Sequence, residues 1–157
     1  GLRVGWCLPG KFLHTFIQQR MVRTLGHNQP IQLALAEYIK RGFYHAHLNR
    51  VNRALKSHCN RYIEFLSEHL PKNAEISQPQ GGLVIWIRIP TVNTEELADR
   101  LLTRGVQIKH GNLFSSTPLY QDCFRLNIGL NPCELVYEQL ATICALVKLT
   151  SARVNEC

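Results

Sequence analysis

At 157 residues, 45% of them hydrophobic and 18% charged, the chain is long enough to bury roughly two thirds of its unfolded surface in a core of its own. No apolar run approaches the ~18 residues a membrane span needs, so a membrane class is not expected and a cytoplasmic protein is. The formal charge of +7 is uneven: residues 1–61 hold ten Lys or Arg against Glu37 alone, while residues 62–157 hold eight against ten acids.

The basic half reads either as a contact for nucleic acid or another polyanion, or as solvated helix faces whose acidic partners lie in sequence not present here. No aromatic interleaving accompanies the charge. Six cysteines (Cys7, Cys59, Cys123, Cys133, Cys144, Cys157) show neither C-x-x-C pairing nor metal-ligand spacing with histidine, which predicts free thiols and no metal site.

In chain order, Gly1–Pro9 reads as a short strand stopped by Pro9-Gly10. Lys11–Leu25 places Phe12, Leu13, Phe16, Ile17, Met21, Val22 and Leu25 on one stripe of an amphipathic helix. Gly26–Gln29 breaks it, and Pro30 opens a second helix that runs to about Arg41, ended by Gly42. A long helix follows from near Tyr44 to Leu70. Its apolar stripe is Leu48, Val51, Leu55, Cys59, Tyr62 and Leu66. Arg50, Arg53, Lys56 and Arg61 lie opposite, as a solvated face, an intersubunit face or a ligand site.

Pro71 closes that helix and Ala74–Ser77 is extended. Gln80–Pro90 is a near-continuous apolar strand of the kind covered on both faces. Gly81 and Gly82 before it serve either a bend or the close approach of backbone to a pocket. Asn93 with Glu96 three residues on is a capping-box start for a short helix through Leu102, stopped by Gly105. Val106–Lys109 is a strand leading into the Gly111 loop. Asn131-Pro132-Cys133-Glu134 opens a last helix with Leu135, Val136, Leu140, Ile143, Cys144 and Val147 on its stripe to about Leu149; residues 151–157 look frayed. The order of these elements predicts an α/β fold, a sheet covered by helices.

Cys123–Gly129 is the informative strand. Phe124, Leu126 and Ile128 alternate with Arg125 and Asn127. An arginine in mid-strand is costly to bury unless its fork meets an anion, and a planar guanidinium holds a carboxylate by two parallel charge-assisted hydrogen bonds. Arg125 is therefore either a ligand-carboxylate clamp or an arginine paired with a protein acid or reaching solvent.

The run Gly111-Asn112-Leu113-Phe114-Ser115-Ser116, a polar loop, and then Cys123-Phe124-Arg125-Leu126-Asn127-Ile128-Gly129 resembles the C-terminal end of fold-type-I pyridoxal-phosphate (PLP) aminotransferases. It looks most like the aminotransferase-like domain of the MocR subgroup of GntR transcription regulators. Gly1-Leu2-Arg3-Val4-Gly5 resembles the family's Gly-x-Arg-x-Gly strand, and Gly42–Arg50 its long interdomain helix.

The resemblance implies a large-domain remnant over residues 1–43, an interdomain helix over 44–70 and a small C-terminal domain over 71–157. It implies that Arg3 reaches the cofactor phosphate and that Arg125 holds an amino-acid α-carboxylate, with Gly82 and Asn127 as further substrate contacts. It implies a homodimer with Gly26–Asn49 near the partner, PLP as cofactor in the intact protein, and DNA contact through an N-terminal winged-helix domain absent from this sequence. The alternative is a free-standing aminotransferase of the aromatic or aminoadipate kind. The Schiff-base lysine would lie upstream of Gly1, so no transamination is expected of this chain alone. Where the family commonly has Pro-Gly, this chain has His110-Gly111 preceded by Lys109. Those two residues are either plain surface, or they reshape the pocket's mouth or add a second anion contact.

Overall fold

The computed structural model describes residues 4–23 and 28–155, the side chains of 152–155 excepted. Arg3, Leu25 and Cys157 lie outside the described residues. Two compact units divide the chain, one reaching to Arg50 and one beginning at Val51.

In the first unit the expected strand over Gly1–Pro9 is not formed across its described part, Val4–Pro9. A strand exists only through its ladder, and no described neighbour offers one to this segment. A 3-10 turn, Gly10–Phe12, leads into α1 (Leu13–Arg23). α2 (Gln29–Lys40) has Pro30 in its first turn, where a missing N–H costs nothing, and it gives way at Gly42, whose φ of 77° suits glycine. The predicted stripe of α1 is present, yet Phe12, Leu13, Phe16, Ile17, Met21 and Val22 are all exposed.

α3 (Phe43–His69) crosses from one unit to the other. Its stripe is half-buried at Leu48, Val51 and Leu55 and buried at Cys59, Tyr62 and Leu66.

The second unit is built on a four-stranded sheet in the order β1-β2-β4-β3: β1 (Glu75–Ile76), β2 (Val84–Arg88), β3 (Lys109–His110) and β4 (Cys123–Asn127). All pairings are antiparallel, with Ile85 opposite Leu126 and Ile87 opposite Phe124 at the centre. These four residues bury one face of the sheet. Against it pack α3, α4 (Thr94–Leu102) through Leu97 and Leu101, and α5 (Glu134–Asn155) through Leu140, Ile143 and Val147. The mixed α/β architecture expected from the sequence is formed.

Several particulars differ from expectation. β2 is covered on one face only: Ile85 and Ile87 are buried while Val84 and Arg88 are exposed, as befits an antiparallel rather than a parallel sheet. The strand expected over Val106–Lys109 is shifted to Lys109–His110, because Val106 and Ile108 turn into the core before the ladder begins. The α5 stripe is buried at Val136, Leu140, Ile143, Cys144 and Val147 as expected, with Leu146 added to it and Leu135 exposed. α5 also continues to Asn155, beyond the expected end near Leu149.

Arg61, read from sequence as part of a solvated or intersubunit stripe, is exposed and also fastens α3 to the start of α5. Its Nε donates to the Tyr137 hydroxyl at 3.1 Å and its Nη2 to the Pro132 carbonyl at 2.8 Å.

Two local features set the position of β4. Asn93 caps α4, its Oδ1 accepting from the N–H groups of Glu95 and Glu96. The next residue, Thr94, is fully buried and donates its hydroxyl to the carbonyls of Gln121 (2.9 Å) and Cys123 (2.6 Å). The first turn of α4 is thereby tied to the residues that lead into β4.

Candidate functional site

The helix-free face of the sheet carries the chemistry. Because the strand period is two, the residues opposite the core belong together. Arg125 on β4 is in register with Trp86 on β2 and with Lys109 on β3. Asn127 follows two residues along the same face, and Arg88 faces Cys123.

Among the described residues, Arg125 pairs with no carboxylate. Ion pairs there include Arg41–Glu37, Arg88–Glu75 and Arg88–Asp122. Asp122, the acid nearest to Arg125 in sequence, is taken by Arg88, whose Nε donates to it at 2.8 Å. Cys123 also donates its thiol to Asp122, at 3.3 Å. Burial, reinforced by that carboxylate, pushes the Cys123 thiol up to about 11.

The partner Arg125 does have is aromatic. Its Cζ lies over the Phe114 ring, 4.7 Å from the centroid. Phe114 in turn packs edge-on against Trp86 (5.5 Å, 74°), and Trp86 packs edge-on against Tyr120 (5.5 Å, 86°). Such perpendicular contacts suit the ring quadrupoles. Sequence reading missed Trp86 and Tyr120. A strict period-two reading of β2 would have found Trp86, since it places that residue with Arg88 and away from Ile85 and Ile87.

The turn that brings Phe114 here lies tight against the approach to β4. It is the 3-10 turn Gly111–Phe114, and a Cβ on Gly111 would fall 2.1 Å from the Tyr120 carbonyl oxygen and 2.9 Å from that of Cys123. Only glycine lets this turn close against the segment entering β4. Asn112 adds a tie to α4, its Nδ2 donating to Glu95 Oε2 at 3.0 Å.

Of the other predicted site residues, Asn127 is exposed and its Oδ1 accepts from the Gly129 N–H at 2.7 Å, an Asx-type turn that ends β4. Gly82 has φ 94° with open space around it, so its conformation and not close packing calls for glycine. It lines an open groove of about 570 Å³ with Leu55, Lys56, Gln80 and Ile128; neither Arg125 nor Asn127 lines that groove. Arg3 is outside the described residues. Lys109 shares the face of Arg125. His110 stands one position on, in register with buried Phe124, and its Nδ1 is buried with no hydrogen-bond partner among the described residues.

A guanidinium offers planar N–H donors of the kind that can meet a planar anion.

Residues 1–138 match the family model described as aminotransferase class I and II. The HTH-type transcriptional regulator YjiR of Escherichia coli is 29% identical over 144 residues, 91% of this chain and 31% of that protein. YdcR, another HTH-type regulator of that organism, is 31% identical over 128 residues, 81% and 27% of the two lengths. The 2-aminoadipate transaminase of Thermus thermophilus is 26% identical over 129 residues, 81% and 32%. The chain thus spans about three tenths of the relatives it matches.

Among solved structures, LysN, an α-aminoadipate aminotransferase from Thermus thermophilus, superposes with a TM-score of 0.80 at 23% identity, over 89% of this chain and 36% of that one. An archaeal alanine:glyoxylate aminotransferase gives 0.76 at 24%, over 97% and 38%. Their likeness fixes the fold as that of the fold-type-I aminotransferases, and with the family match the chain belongs to the aminotransferase class I and II family.

Proposed function

We propose that the chain is the C-terminal part of the aminotransferase-like effector domain of a MocR-type transcription regulator. In this reading residues 71–157 are its small domain, 44–70 its interdomain helix and 1–43 a remnant of its large domain. Arg125 holds the α-carboxylate of an amino acid. The observation that carries this is a mid-strand arginine that meets an aromatic ring and no described carboxylate. An arginine so placed keeps its outer N–H groups for a planar anion.

PLP, the cofactor of this family, supplies an electron sink for bonds at the amino-acid Cα when bound. The donors around Arg125 suit a carboxylate. The cofactor phosphate falls to Arg3, on the strength of its Gly-x-Arg-x-Gly setting. Gly82 and Asn127 are assigned to the amino-acid side, Asn127 through its Nδ2, since its Oδ1 is used at Gly129. The intact protein is a cytoplasmic homodimer that reaches DNA through a winged-helix domain.

The regulator reading is favoured by YjiR and YdcR. The 2-aminoadipate transaminase favours a second reading, a free-standing aminotransferase with the same carboxylate clamp.

The test is Arg125→Ala in the intact protein. Amino-acid binding should weaken by at least about tenfold while PLP stays bound, since a charge-assisted bidentate pair is worth about 1.5–3 kcal/mol. Equal loss of both ligands would assign Arg125 a structural role. Amino-acid-dependent change in operator binding separates the regulator from the free enzyme, which would show steady keto-acid formation and no operator binding.

A further inference from the structure

We infer that Phe114 is a positioning residue for amino-acid binding: its ring holds the Arg125 guanidinium in the orientation that receives the carboxylate. The inference rests on the clamp role proposed for Arg125 and goes beyond it, because it assigns the precision of that clamp to a residue that does not itself contact the carboxylate.

A lone arginine on an open sheet face has a long, freely rotating stem, and fixing it for a two-point hydrogen bond costs conformational entropy at each binding event. The 4.7 Å contact with Phe114 removes part of that freedom beforehand. The attraction between cation and ring holds the guanidinium without pairing it with a carboxylate.

Phe114 can do this only if it is itself fixed, and three features fix it. The Trp86 ring meets it edge-on at 5.5 Å, and Trp86 is the cross-strand neighbour of Arg125. Tyr120 holds Trp86 from another side. The turn bearing Phe114 begins at Gly111, which is closed against Tyr120 and Cys123 with no room for a Cβ. The support is therefore a chain of contacts from turn to strand to loop, and the arginine rests on its Phe114 end. Nothing in the burial pattern demands an aromatic at 114 for the core: Phe114 is 42% exposed and packs on the helix-free face.

The experiment uses the intact PLP-loaded protein and, as probes, an amino acid it binds and the carboxamide of that same amino acid. Phe114→Leu keeps apolar bulk and removes the ring face; Phe114→Tyr restores the ring. The expected result is that Phe114→Leu weakens the amino acid by about 3- to 30-fold, from the usual strength of a cation–ring contact. Carboxamide binding and PLP occupancy should be unchanged, and Phe114→Tyr should recover most of the loss. An equal loss for acid and carboxamide, or no loss for either, overturns the role. Arg125→Ala is run alongside. If it fails to weaken the amino acid, the clamp reading itself falls; if it weakens the acid while Phe114→Leu does not, only the positioning role falls.

Discussion

α1 carries Phe16 and Ile17 on its apolar stripe, and α5 carries Ile143 and Val147 on its own. The first pair stands 41% and 46% exposed, the second 1% and 0%. No described residue up to Arg50 is buried, whereas the unit from Val51 closes around Phe124, Ile85, Ile87 and Leu66. An amphipathic stripe states that a face exists to be covered; it does not state what covers it. Only a contact between elements decides that, and in this chain the sheet and three helices of the second unit make such contacts for one another.

The largest effect that could break this contrast is a pair of truncations read by urea unfolding of the whole chain. Phe124→Ala removes a fully buried ring and should cost about 3–5 kcal/mol. Phe16→Ala should change stability by no more than about 0.5 kcal/mol, the range for exposed positions. A comparable loss for both would mean that the α1 face is covered in the molecule as it exists in solution.

A smaller contrast sits within the second unit. Gly111→Ala places a Cβ against backbone oxygens and should cost about 1–3 kcal/mol as the turn shifts. It should also weaken amino-acid binding, because Phe114 moves with the turn. Gly81→Ala, with open space around the position, should lie within about 0.5 kcal/mol of the parent. If the two cost the same, the turn does not lock the aromatic cluster. Thr94→Val should fall in the same range as Gly111→Ala, about 1–3 kcal/mol, because it leaves two carbonyls of the β4 approach without their shared donor.

The smallest effect is read by pH. Burial raises the thiols of Cys123 and Cys144 to about 11 from an ordinary 9.0. The unfolded chain therefore releases these protons first, and stability, complete below pH 9, should decline as the pH climbs toward 11. At pH 8 an alkylating reagent should modify exposed Cys7 and Cys133 well before Cys59, Cys123 or Cys144. Fast labelling of Cys144 in the folded chain would show that the core opens more readily than its packing implies.

Much of this was legible in the residues. Pro30, Gly42 and Asn93 marked helix ends because each acts through its own backbone chemistry, without needing a distant partner. The alternation of Phe124, Leu126 and Ile128 against Arg125 survived intact for a similar reason: period and burial agree. What could not be read depended on partners far apart in sequence. The strand expected at Gly1–Pro9 lacked a described neighbour. Arg61 looked like surface until Pro132 and Tyr137 met it across seventy-odd residues. The support of Arg125 is assembled from a turn, a loop and a second strand, and no spacing rule joins those three. Leu135, at the helix start, is exposed where the stripe placed it inside, because only the neighbours decide how far a buried face extends.

The two outer strands of the sheet are each two residues long, Glu75–Ile76 on one side and Lys109–His110 on the other, and each bears an exposed charge. A foreign β-segment needs several consecutive unpaired N–H and C=O groups to dock, and these rims present almost none. Fibrillar or domain-swapped growth through the sheet is therefore blocked at both ends by brevity and by charge, which leaves the central pair, β2 and β4, free to carry a costly open face without becoming a template for aggregation.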